Sequence, residues 1–217
     1  MTITFDETYF NSSQGYINYY NYPHFKLRAQ WLYDIYVARG YTGKIYIIGV
    51  GYGYIIKELL DIVPVQAHNK IVGIEFSQYA YDQAVALGVG DNVVLIDAKD
   101  MTYPNDLDIV VSWNVLDCIP NDTVATAICN LLSDKAVEQL HVLCTDDTDH
   151  NADSYKTEGY YIQTRAYWAG KFVNVDPATQ KIIMVEFNTG DNWRKTVSGW
   201  EKFTGLNVPL TKLRVSN

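Results

Sequence analysis

Ile47-Ile48-Gly49-Val50-Gly51-Tyr52-Gly53 is the stretch on which the fold turns. It closes the apolar run Lys44 to Gly49 (KIYIIG) and opens a helical one, Gly53 to Ile62 (GYIIKELLDI), where Ile56, Leu59 and Leu60 recur at helical spacing. A glycine loop placed between a buried strand and a helix is the context in which such a loop binds a ligand. Glycine permits the tight turn and lets a ligand approach the backbone with no Cβ in the way. The spacing is GxGxG. A dinucleotide fingerprint requires GxGxxG, and its last position holds Tyr54, which argues against NAD and FAD.

Outward from this loop the chain alternates strands with helices. Lys70 to Glu75 (KIVGIE) predicts a second strand, and Ser77 is placed to cap a helix running to about Leu87. Asn92 to Ile96, Asp108 to Ser112 and Gln139 to Cys144 predict three more strands, with a helix from Asp122 to Leu132 before the last. Lys171 to Val175 and Lys181 to Phe187, joined by Asp-Pro-Ala-Thr-Gln, read as an antiparallel hairpin. The expectation is a single α/β domain over residues 1–217: a doubly wound, mostly parallel seven-stranded sheet with an antiparallel C-terminal hairpin. Residues 1–40 stand apart as a tyrosine-rich lid plus a helix, His24 to Arg39, whose stripe of Leu27, Trp31, Ile35 and Ala38 is expected to face the sheet.

Composition narrows the partners. A formal charge of −8 disfavours nucleic acid, whose binding relies on Lys and Arg neutralising phosphates. Cys118, Cys129 and Cys144 form no metal or redox motif and suit a reducing compartment. The N-terminus lacks a signal-peptide pattern, and no apolar run approaches the roughly 20 residues that span a bilayer. A cytoplasmic protein is expected, and the oligomeric state is left open.

Glu75 lies 22 residues beyond Gly53, at the end of the second strand, where a carboxylate can accept hydrogen bonds from a ribose diol. With this acid in register, roughly residues 40 to 145 resemble the class I S-adenosylmethionine-dependent methyltransferases. IIGVGYG is similar to the first motif of that family, with Gly49, Gly51 and Gly53 as its glycines. IVGIEFS resembles its ribose-binding strand, with Phe76 against adenine, and LIDAKDM resembles the segment whose Asp97 and Ala98 meet the adenine edge. DLDIVVSWNVLDCIPND resembles the fourth strand and its exit, which sets Ser112, Trp113 and Asn114 beside the methyl end. The resemblance implies S-adenosyl-L-methionine as cofactor, S-adenosyl-L-homocysteine as product and a small-molecule acceptor. Ile47 departs from it, standing where an acid near the methionine amine is usual, and Cys118 replaces a common histidine.

Methyl transfer from a sulfonium needs alignment more than acid–base power. Tyr22, Tyr52 and Trp113 are candidates for an aromatic face toward the positive sulfur. His24 and His150 are the candidate bases for an acceptor that loses a proton. His24 reads equally as a helix N-terminal histidine, followed by Arg28 as an anion grip or a surface cation. Asp146 to Asp149 with His150 offers an oxygen-rich set of the kind that suits magnesium or calcium, or a solvated loop with helix-capping aspartates; no metal is expected, because the fourth strand ends in Ser112 rather than an acid. His141 reads as a satisfied core histidine. The alternatives are a polyamine aminopropyltransferase-like enzyme and a non-catalytic protein that keeps the fold and docks a partner.

Overall fold

The computed structural model describes residues 4–11, 24–133, 135–143, 145, 161–172, 175–186 and 189–208. Within them run strands β1 (Lys44–Ile48), β2 (Ile71–Glu75), β3 (Val93–Leu95), β4 (Leu107–Trp113), β5 (Ala136–Leu143), β6 (Lys181–Glu186), β7 (Asn192–Thr196) and β8 (Gly199–Phe203). Helices α1 (Glu7–Asn11), α2 (His24–Ala38), α3 (Tyr54–Ile62), α4 (Gln78–Ala86), α5 (Asp122–Leu132) and α6 (Arg165–Lys171) intersperse them. The strands form a sheet of eight rather than seven, ordered β3-β2-β1-β4-β5-β6-β7-β8. Mostly parallel and closed by antiparallel strands, it has the doubly wound, class I methyltransferase-like architecture. The packing divides into two units, Thr4–Ala98 and Lys99–Asn207.

In the first unit, β1, β2 and β3 pair in parallel, with Ile47 opposite Gly73 and Glu75 opposite Leu95. β1 and β2 are apolar without alternation because both their faces are buried. Ser77 caps α4 as expected, its Oγ accepting from Ala80 N at 3.2 Å. The expected stripe of α2 is not the buried one. Phe25, Arg28, Ala29 and Leu32 are buried, whereas Leu27 is 57% exposed. Apolar residues surround most of this helix, so helical period alone left its rotation undecided. Packing on α3, with the Phe25 and Tyr54 rings 5.6 Å apart, settles it.

In the second unit, β4, β5 and β6 pair in parallel, with Ser112 opposite His141 and His141 opposite Met184. The hairpin expected from Lys171 to Phe187 is corrected here. Lys171 ends α6, which Thr164 caps by accepting from Tyr167 N at 3.1 Å, and Trp168 and Phe172 are both buried at helical spacing. β6 lies parallel to β5, and a parallel pair requires a crossover, the stretch in which α6 lies. The Asp176 turn is real, with Ala178 N donating to Asp176 Oδ1 at 3.0 Å, but it leads from the crossover into β6. The antiparallel pairs are β6 with β7 and β7 with β8. β8 carries Glu201 and Lys202, ion-paired to Arg194 and Asp191, charges that discourage further strand pairing.

Candidate functional site

The glycine loop has the backbone its sequence demands. Gly49, Gly51 and Gly53 all adopt left-handed φ, at +68°, +55° and +79°. Gly49 N and Val50 N donate to Ile74 O at 2.8 and 3.2 Å, which folds the loop back over the end of β2. At Gly53 a Cβ would lie 2.7 Å from Val89 Cγ2 and 3.2 Å from Ala84 Cβ, so a larger residue would push the loop off its neighbours.

Glu75 is the tie that holds this arrangement. Its side chain is 4% exposed, with Oε2 accepting from Gly51 N at 2.7 Å and Oε1 from Phe76 N and Ser77 N at 3.0 and 2.9 Å. Burial raises its pKa above the ordinary carboxylate range, against the opposing pull of these three amides. A carboxylate offers about four acceptor positions, so three backbone bonds leave room for one further donor, on Oε2. Phe76, the next residue, is 53% exposed. Ile96 N donates to Glu75 O at 2.8 Å and sets the end of β3 beside the acid; Asp97 is half-buried and Ala98 buried immediately beyond. Ile47 is buried within β1. His24 begins α2, its pKa lowered by partial burial and then by the Arg28 charge; Arg28 is buried rather than a surface cation. Tyr52 OH donates to Asn11 Oδ1 at 3.2 Å.

The second unit contributes the exit of β4. Ser112 and Trp113 are buried, and Asn114 adopts φ +53°, the one described non-glycine residue with positive φ. Asparagine tolerates that region better than most residues, and such outliers concentrate at functional sites. Its N–H donates to Val142 O at 2.8 Å and its carbonyl accepts from Cys118 Sγ at 3.1 Å. Asp117 is fully buried in the turn that follows, its carbonyl accepting from Tyr161 N at 2.8 Å.

His141 is a core histidine. Its Nδ1 lies 2.9 Å from Ser112 Oγ, its Nε2 3.3 Å from Gln139 Oε1, and its ring stacks on Phe172 at 5.1 Å. Complete burial lowers its pKa to about 3, so it is neutral and enclosed. At the end of β6, Glu186 accepts from Arg165 Nη1 at 3.1 Å, and that guanidinium sits 4.0 Å from the centre of the Trp193 ring. No local motif marked this cluster, since Arg165 comes from α6 in the crossover and Trp193 from β7, paired antiparallel to β6.

Of the residues singled out from sequence, the first unit gathers Gly49, Gly51, Gly53, Glu75, Phe76, Asp97 and Ala98 around the ends of β1 to β3. Trp113 and Asn114 lie at the end of β4. Tyr22, His150 and the Asp146 to Asp149 run lie outside the described residues. Among the described residues no cluster of three His, Cys, Asp or Glu side chains is arranged to hold a metal, and no helix is long and apolar enough to cross a membrane. Sequence reasoning missed Phe5 and Asn11, which contact the site elements; Asp6, a capping residue before a short aromatic run, was the available signal.

No family model matches the sequence, and neither does any curated protein. Similarity is found among solved structures. The plantazolicin methyltransferase BpumL, in complex with a triazolic desmethylPZN analogue and SAH, is 17% identical with a TM-score of 0.53, over 70% of this chain and 63% of that one. The same enzyme with a monoazolic analogue and SAH gives 15% identity and 0.50, over 68% and 60%. The mitomycin 7-O-methyltransferase MmcR aligns at 17% identity and 0.47, over 69% and 47%. This chain spans less than two thirds of the length of each. What the chain shares with BpumL at these identities is its fold, the class I methyltransferase-like α/β sheet.

Proposed function

We propose that this chain acts as one domain and is an S-adenosylmethionine-dependent methyltransferase for a small-molecule acceptor. The observation that carries the reading is the glycine loop closed by left-handed glycines and tied through Gly51 N–H to Glu75. Solved structures of similar fold include a methyltransferase with SAH bound, which supports the same cofactor here.

The residues present suit that cofactor in the nucleoside half: an exposed Phe76 face, one open acceptor position on Glu75, and a loop without side chains at Gly49, Gly51 and Gly53. When bound, the cofactor supplies a methyl group already activated on a sulfonium. The loop would admit it to the backbone, Glu75 would accept from the ribose, Phe76 would lie against adenine, and Asp97 and Ala98 would meet the adenine edge. At the exit of β4, Asn114 and Trp113 would hold the methyl end. Because alignment supplies most of the acceleration, the placement of the β4 exit matters more than a strong base. His24 and His150 are the proton acceptors for acceptors that need one. The lowered pKa of His24 keeps its imidazole neutral, and so able to take a proton, at neutral pH.

Calorimetric titration with S-adenosylmethionine and S-adenosylhomocysteine tests the reading. The expected outcome is micromolar or tighter binding, about −8 kcal/mol or better. Absence of binding by both overturns it. A buried Ile47 in place of an acid favours a second reading, a cofactor-binding protein without turnover. Transfer of labelled methyl onto any component of a small-molecule extract would eliminate that second reading, and preference for the decarboxylated cofactor would redirect the first toward aminopropyl transfer.

A further inference from the structure

The helix α1 is only five residues long, too short to persist on its own, and it exists because Tyr9 and Phe10 are buried. Asp6 starts it, its Oδ1 accepting from Tyr9 N at 3.1 Å. Both ends of the segment are fastened to elements of the cofactor site. At the front, the Phe5 carbonyl accepts from Ser77 Oγ at 2.5 Å, and the Phe5 ring meets Phe76 edge-on, centroids 5.0 Å apart and planes at 74°. Tyr9 holds Phe5 from behind at 4.6 Å. At the rear, the Asn11 amide accepts from Tyr52 OH and donates to Tyr79 OH, both at 3.2 Å, while the Phe10 and Tyr52 rings lie 5.0 Å apart. Tyr52 is the residue between Gly51 and Gly53.

We propose that Phe5 to Asn11 is a positioning strap for the nucleoside half of the site, in which Phe5 sets the plane of the Phe76 ring and Asn11 sets Tyr52 of the glycine loop. The inference rests on the cofactor reading above. Phe76 is half exposed, and an exposed aromatic ring turns among rotamers unless a neighbour restricts it. Phe5 supplies that restriction from one edge and leaves much of Phe76 open, the arrangement expected of a platform for a planar base and not of a core residue. Ser77 couples the two because one hydroxyl serves both segments, accepting from Ala80 N and donating to Phe5 O. Phe5 acts through Phe76 and is a positioning residue.

The test is calorimetry on the full chain, with S-adenosylhomocysteine and adenosine as separate probes and thermal midpoints recorded alongside. Phe5→Ala is expected to weaken both probes by the same factor, about threefold to tenfold, the range one aromatic pair commands. Phe5→Tyr should restore binding, and Thr8→Ala, on the exposed side of α1, should leave it unchanged. If Phe5→Ala fails to fold, Phe5→Leu, which keeps bulk without the aromatic edge, should still weaken both probes together. Unchanged affinity in a folded Phe5 variant, or a loss seen with one probe alone, overturns the strap. Phe76→Ala separates the two readings: weakening there beside no effect at Phe5 removes the strap and leaves the cofactor. No effect at Phe76, or no binding by the unaltered chain, removes both.

Discussion

A carboxylate that is buried and accepts three backbone N–H groups is pulled both ways: burial disfavours its charge while the amides favour it. At Glu75 burial outweighs the amides and raises its pKa above the ordinary carboxylate range. Glu75→Ala removes the tie to Gly51 and is expected to weaken S-adenosylmethionine by about 1–3 kcal/mol in calorimetry. Gly51→Val puts a branched side chain at φ +55°, at a strain of roughly 1–2 kcal/mol, and should abolish binding by blocking the loop. Unchanged affinity in both would place the cofactor elsewhere. Asn114 makes a parallel case on stability. Asn114→Gly should hold the urea midpoint within experimental error, whereas Asn114→Val at φ +53° should lose roughly 1–2 kcal/mol. Glu75 and the glycines were legible as residues because their spacing is local. That the carboxylate would spend most of its acceptors on its own backbone was not, since those amides belong to a loop 24 residues away and to the start of the next helix.

Helices and strands were read with uneven success, and the reason is physical. α3, α4 and α5 have clean caps or a clear apolar stripe, and each lies within a residue or so of its expected bounds. α2 is apolar nearly all round, so its orientation waited on α3. The consequence is measurable: Leu32→Ala should cost about 2–5 kcal/mol of stability, while Leu27→Ser, on the exposed side, should change it by under about 0.5 kcal/mol. Chemical denaturation of the two variants checks the rotation, and equal losses would contradict it. The strand expected from Lys171 to Val175 meets the end of α6 at Lys171, with residues 173–174 outside the described residues; a five-residue alternating window is too short to separate period 2 from the end of a helix that buries Trp168 and Phe172. Thr164→Ala should cost about 1 kcal/mol in chemical denaturation through the lost cap of α6, and an unchanged midpoint would contradict that cap.

For the molecule as a whole, His141 contributes a pH dependence of stability in the acid range. Its folded pKa, about 3, lies below the ordinary 6.5, so the unfolded chain binds the extra proton between those values. Stability is therefore fully present above pH 6.5 and declines as pH falls toward 3, by on the order of 4 kcal/mol over the window. Glu75 works in the opposite sense, its raised pKa favouring the fold as acid is added. Replacing His141 with Phe should flatten the decline in urea midpoints between pH 7 and pH 4; an unaltered slope would mean that other groups set it.

Local information sufficed for the alternating elements, the glycine loop, the acid at the end of β2 and the α/β class, because hydrogen-bonded turns, caps and side-chain period act over a few residues. Tertiary structure alone decided the eighth strand, the parallel placement of β6, the rotation of α2 and the fastening of Phe5 to Phe76. Each depends on which surface a segment buries, and that is a property of partners distant in sequence, whose contact free energy no local pattern contains.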